Sequence, residues 1–212
     1  MQSDLNFVIE YTDGVKHSIV DAARVQNWVH EFWKRYGDFD VDKIYITLDV
    51  MAADRPKTID GEVVDGDVLY CRGSQAWVPH LLGMVDPELL GTLGRSSLIT
   101  LYIDPESTVS EAQLIQTLWH ELGHARQCAH ELLECRKGMW YWKDSPWHST
   151  TDVHDCYDTY HNAPWEEDAR CYGAEAELYY LKKEYQRDPI MWLTLAAPAL
   201  MLAEWMHRRK RK

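Results

Sequence analysis

Two histidines four residues apart, His120 and His124, with Glu121 directly after the first, constrain this chain more than any other feature of its sequence. Residues at i and i+4 share one face of a helix with Cβ atoms about 5–6 Å apart, so both imidazoles can reach a single metal ion. The pattern carries that meaning only inside a helix, and the flanking residues provide one. Ser110 followed by Gln113 is a capping-box pairing, and Leu114, Ile115, Leu118, Trp119 and Leu122 recur on one face. Glu121 turns toward the neighbouring face, where a carboxylate can act as general base on a water activated by the metal without itself becoming a ligand. The segment 106–138 is therefore expected to be the zinc-motif helix, with Gly138 as its latest stop.

A chain of 212 residues with 46% hydrophobic content can bury one sizeable core. We read one domain over 1–212, of α+β class, in which a small mixed or antiparallel N-terminal sheet packs on the motif helix and a helical C-terminal part follows. The first 105 residues are strand-rich with one helix. A hairpin is expected from Leu5–Tyr11 and Val15–Val20 around Asp13-Gly14. Asp21 can cap a helix over 22–36, in which Val25, Trp28, Val29, Phe32 and Trp33 form one stripe. Further strands are expected at 41–50, 63–71 and 97–103. Residues 139–163, rich in aromatics and histidine, read as a long loop covering the site. Helices are expected over 164–207, followed by a basic tail at 208–212.

A catalytic zinc site generally takes three protein ligands, so the histidine pair needs a partner. Pro164 can open a helix, and Glu166, Glu167 and Asp168 follow it. Ala169, Gly173, Ala176 and Tyr180 form a stripe of mostly small residues suited to close helix packing. At about 100° per residue Glu166 lies near that stripe, Glu167 almost opposite, and Asp168 between. Glu166 is the expected third ligand. The rivals are Asp168, His154, His161 and His130, which stands at the third-histidine position of H-E-x-x-H-x-x-G-x-x-H. Gln127 occupies the glycine position of that pattern and suits its positive φ poorly. The segment 129–135 also reads as continuing helix, which would point His130 away.

The run His120-Glu121-Leu122-Gly123-His124, followed 42 residues after its second histidine by Glu166-x-x-Ala169-x-x-Tyr172-Gly173, resembles the gluzincin zinc metallopeptidases. It is similar in style to the small intracellular ImmA/IrrE-like zincins. The resemblance spans two helices. It implies a zincin-like fold, Zn2+ held by His120, His124 and Glu166, water activated by Glu121, and a peptide or protein as substrate.

In peptide hydrolysis the tetrahedral intermediate needs a further donor, and Tyr157, Tyr160, His154 and His161 are the candidates. A different class of reading keeps the fold as a catalytically weak binding or regulatory module with structural zinc. Against it stands Glu121, since a structural site has no need of a base. The balance of 22 basic against 34 acidic residues gives a net charge of −12, which excludes nucleic acid as a partner over most of the surface and favours encounter with basic substrates. Five cysteines, odd in number, widely spaced and without a C-x-x-C pair, argue against a disulfide framework, and no secretory signal is visible at the start. A cytoplasmic setting fits. The apolar run 190–203 is shorter than the ~20 residues of a membrane span and reads as a buried helix, with contact at a membrane surface the rarer alternative.

Overall fold

The structure is a computed structural model, and it describes residues 6–12, 21–39, 41–50, 64–72, 75–77, 95–103, 109–149 and 157–187. In chain order the elements are β1 (Asn6–Tyr11), α1 (Ala22–Tyr36), β2 (Lys43–Val50), β3 (Val64–Arg72), β4 (Gln75–Trp77) and β5 (Arg95–Ile103). There follow α2 (Glu111–Ala129), β6 (Leu133–Arg136), β7 (Met139–Trp142), β8 (Ser145–Ser149), α3 (Tyr157–His161) and α4 (Pro164–Arg187). The described residues are thus of mixed α and β structure with two small sheets.

The larger sheet has the order β1-β2-β5-β3-β4 and is mixed. β1, β2 and β5 run parallel, β3 is antiparallel to β5, and β4 is antiparallel to β3. The expected arm Val15–Val20 lies outside the described residues, and β1 takes β2 as its parallel neighbour. Parallel pairing requires a crossover, and α1 provides it. Asp21 caps α1 by accepting the Arg24 N–H at 2.8 Å, and Val25, Trp28, Val29 and Phe32 are buried. Along β2 and β5 one side chain in two points inward, so Ile46 faces Ile99 and Leu48 faces Leu101 in the core.

α2 begins where the capping box places it, with Gln113 N–H donating to Ser110 Oγ at 3.2 Å and Ser110 N–H donating to Gln113 Oε1 at 2.9 Å. Trp119 pins this helix to two others. Its Nε1–H donates to the Trp28 carbonyl of α1 at 3.1 Å, Phe32 meets it edge-on, and Tyr179 of α4 stacks on it at 5.6 Å. Burying an indole with its N–H satisfied retains the apolar gain without an orphaned donor.

Two expectations about the middle of the chain are corrected. The motif helix ends at Ala129, not near 138: Glu131 takes φ 57° and the chain enters β6. Of the loop expected over 139–163, residues 150–156 lie outside the described residues and residues 139–149 are a hairpin instead, because β6, β7 and β8 form an antiparallel sheet. Its connections are two-residue turns, Lys137-Gly138 and Lys143-Asp144, with all four residues at positive φ. That is the type I′ geometry whose twist matches paired strands. Lysine in this conformation costs about 1–2 kcal/mol, so neither turn carries the Asn-Gly or Asp-Gly signature by which such hairpins are read. Beyond α4, the apolar run 190–206 and the basic tail lie outside the described residues. Among the described residues no helix is long and apolar enough to cross a membrane.

α2 and α4 approach closely at two glycines. A Cβ on Gly123 would lie 2.5 Å from Tyr172 Cδ2, and one on Gly173 would lie 3.2 Å from the Gln116 carbonyl oxygen. The Tyr172 ring is held, since Arg126 donates to its hydroxyl at 2.9 Å and Phe32 and Tyr36 pack against it. Gly123→Ala is therefore expected to destabilise the protein by about 1–3 kcal/mol in urea unfolding. The same change made in a Tyr172→Ala background is expected to cost less, a coupling that a double-mutant cycle reads directly.

Candidate metal centre

Three side chains converge where α2 meets the first turn of α4. The Nε2 atoms of His120 and His124 are 3.0 Å apart, with the rings nearly perpendicular. Glu166 faces both, Oε2 lying 3.2 Å from His120 Nε2 and Oε1 lying 3.2 Å from His124 Nε2. A tetrahedral zinc ion with bonds of ~2.0–2.1 Å separates its ligand atoms by roughly 3.3 Å, so this donor set fits such an ion with small adjustment. Among the described residues this is the cluster of His, Cys, Asp or Glu whose ligand atoms could hold a metal.

Burial is uneven. The side chains of His124 and Glu166 are 3% and 5% exposed, whereas that of His120 keeps 22%, so the cluster opens on the His120 side. Glu121 follows His120 on α2, is buried, and has its charge felt at His124. α4 presents Glu166 inward together with Ala169, Gly173 and Ala176, while Glu167 is exposed.

The electrostatics are those of a buried pair. Burial disfavours a charged Glu166, but the His124 charge and the hydrogen bonds from both imidazoles outweigh it and hold the carboxyl well below its ordinary range. Burial likewise opposes charge on His124, and here the Glu166 carboxylate prevails, with help from Glu121 and Gln127, raising its pKa to about 9. His120 goes the other way, because burial prevails over the Glu166 hydrogen bond and lowers it.

Gln127 is the residue that sequence reasoning missed. It is fully buried, its Oε1 lies 2.9 Å from His124 Nδ1, and its Nε2 donates to the Trp165 carbonyl and to Asp168 Oδ2, each at 2.9 Å. Because both amide hydrogens have acceptors, Oε1 must accept from His124 Nδ1–H. That fixes the tautomer whose Nε2 lone pair points into the cluster. The signal was available: residue 127 falls three after His124 in the same helical stripe, where a polar side chain needs a buried partner. Asp168, a rival ligand by sequence, serves instead as acceptor for Gln127.

The other candidates that fall among the described residues lie elsewhere. His130 is the C-cap of α2, and its Nε2 sits 3.3 Å from Asp38 Oδ1, beside the bidentate Arg126–Asp38 pair. It faces away from the cluster because Asp38 attracts it and the chain turns there, not because the helix continues. Tyr160 and His161 are half-buried on α3, outside the three-residue cluster, while His154 and the side chain of Tyr157 lie outside the described residues. Cys128 is a free thiol that burial pushes up to about 12, so it is neutral at ordinary pH.

No protein-family model, curated protein or solved structure matches this chain.

Two measurements test the centre. Removing the Gln127 amide in Gln127→Ala is expected to weaken zinc binding by about 10–100-fold in competition with a chelator, whereas His130→Ala leaves it unchanged. The second concerns pH. His124 of the metal-free protein titrates near 9, above its ordinary 6.5, so its pairing with Glu166 stabilises the fold fully below pH 6.5 and is lost as pH rises through about 9. The metal-free melting temperature is expected to fall across that window. At pH 7 zinc uptake is expected to release about one proton, read by calorimetry in buffers of different ionisation enthalpy.

Proposed function

We propose that this chain is a zinc-dependent metallopeptidase that hydrolyses peptide bonds with Glu121 as general base. The observation that carries the proposal is the convergence of His120, His124 and Glu166 within metal-ligating distance, with a buried carboxylate, Glu121, on the same helix beside them. Two imidazoles and a carboxylate form a donor set that suits zinc, and three protein ligands leave a fourth position for chemistry. The order of these residues along the chain is that of the gluzincins, and the small ImmA/IrrE-like zincins are the likeness we favour. Cys128 and Cys171, free thiols among the described residues, agree with a reducing cytoplasmic setting.

Bound at this site, a zinc ion supplies Lewis acidity toward the scissile carbonyl and lowers the pKa of water. The protein's own residues do the rest. Glu166 offers its two oxygens across the imidazole pair, and Gln127 keeps His124 in the ligating tautomer. Glu121 takes the proton of the attacking water and returns it to the leaving amine. The buried side of the cluster, formed by His124, Glu166 and the α2–α4 contact, excludes solvent, so a substrate enters past His120.

The purified protein is expected to hold about one zinc per chain by elemental analysis and to cleave an unstructured test protein. Glu166→Ala is expected to lose both. Glu121→Gln is expected to keep the zinc and lose roughly 10²–10⁴-fold in cleavage rate. Unchanged proteolysis in Glu121→Gln would refute the mechanism, and stoichiometric zinc without turnover in the wild type would favour a binding module with structural zinc.

A further inference from the structure

Arg170 lies one helical turn beyond Glu166 on α4. Helical side chains lean toward the N-terminus, so that of Arg170 runs back along the turn bearing the carboxylate. It ends with Nη1 donating to the His161 carbonyl of α3 at 2.8 Å. Its charge is felt at His120, the ligand on the open side of the cluster. Arg170 is only half-buried, so solvent and ligands can reach it.

It has no acidic partner among the described residues. Arg24, Arg95, Arg126 and Arg136 pair with Glu111, Asp42, Asp38 and Glu134 respectively, and Arg35 lies over the rings of Trp119 and Tyr179. Arg170, one turn beyond Glu166, has neither a carboxylate nor an aromatic ring against its guanidinium among the described residues. A guanidinium presents five N–H donors in a planar fork matched to a carboxylate, and the His161 carbonyl takes one direction of that fork.

We propose that Arg170 binds a carboxylate of the substrate next to the scissile bond, making this a peptidase selective for peptides with an anionic group at that position. The inference rests on the metallopeptidase reading and adds the substrate class. Two sources have the required chemistry, a free C-terminal carboxylate and an acidic side chain. The acidic surface does not conflict with this selectivity, since net charge governs encounter at long range while a local fork governs the bound pose.

The test uses zinc-loaded protein carrying Glu121→Gln, which retains the site while blocking turnover. Calorimetry compares N-acetylated tetrapeptides in two matched pairs: a free C-terminal carboxylate against the carboxamide, and an internal Glu against Gln. One acidic member is expected to bind roughly tenfold or more tightly than its neutral twin, as for a hydrogen-bonded ion pair, and the pair that responds names the source. Adding Arg170→Gln is expected to level that pair while the neutral peptide binds as before, and Arg170→Lys to keep part of the preference. Equal affinity within both pairs, including equally weak binding at millimolar peptide, would overturn the proposal. So would a preference that survives Arg170→Gln, since a residue that only straps α3 to α4 would leave it unmoved. Should Arg170→Gln fail to fold, an undiminished preference in Arg170→Lys, which lacks the fork, is the overturning result. Wild-type cleavage of the same peptides separates the two readings. Hydrolysis without acid preference refutes the role of Arg170 alone, whereas acid preference without hydrolysis refutes the peptidase alone.

Discussion

Seating one carboxylate between two imidazoles requires two helices to approach more closely than ordinary side chains permit, and the rest of the structure serves that approach. Gly123, between the two histidines, admits the Tyr172 ring, and Gly173 lets α4 lie against the backbone at Gln116. Trp119 sets the depth of α2 between α1 and α4 through one hydrogen bond and two aromatic contacts. The Arg126–Asp38 pair and the Arg126–Tyr172 hydrogen bond secure the far end of the same contact. Together these interactions let a carboxylate at the start of α4 meet imidazoles in the second half of α2.

The cost of that arrangement is electrostatic. A carboxylate as buried as Glu166 forfeits several kcal/mol of hydration, which only close partners can offset. Two imidazoles provide it, and in the metal-free protein His124 carries the compensating proton. The centre is therefore preorganised by mutual attraction before any cation arrives, and Gln127 adds a directional constraint that charge alone lacks. His120, more exposed and disfavoured as a cation, stays neutral and faces the opening. The division of labour between the two histidines follows from burial and from which one the Gln127 carbonyl can reach.

The parts of the fold legible in the sequence were those governed by local rules. Ser110 and Gln113 marked the start of α2, Asp21 that of α1, and helical phase separated Glu166 from Glu167. Where the reading failed, a nonlocal or unusual local preference prevailed. Nothing in the composition of 130–138 marks the helix end, because Glu131 and Lys137 adopt positive φ without glycine's freedom. The aromatics of 139–149 read as a loop because their turns hold lysine and aspartate and their strands are only four or five residues long. His130 was set aside for the wrong reason, since its actual partner, Asp38, is distant in sequence.

By itself the sequence determined that a helix would carry His120 and His124 on one face with Glu121 beside them, because 3.6-residue periodicity and a capping box are properties of adjacent residues. It also fixed which side of the following helix Glu166 would occupy. Only the tertiary structure decided that these faces meet, that Asp168 serves Gln127 and not a metal, and that Arg170 stands by the cluster without an acidic partner among the described residues. The reason is physical: helical phase is set within a few residues, whereas convergence depends on packing between segments some 40 residues apart, where glycine gaps, buried indoles and paired charges fix the geometry.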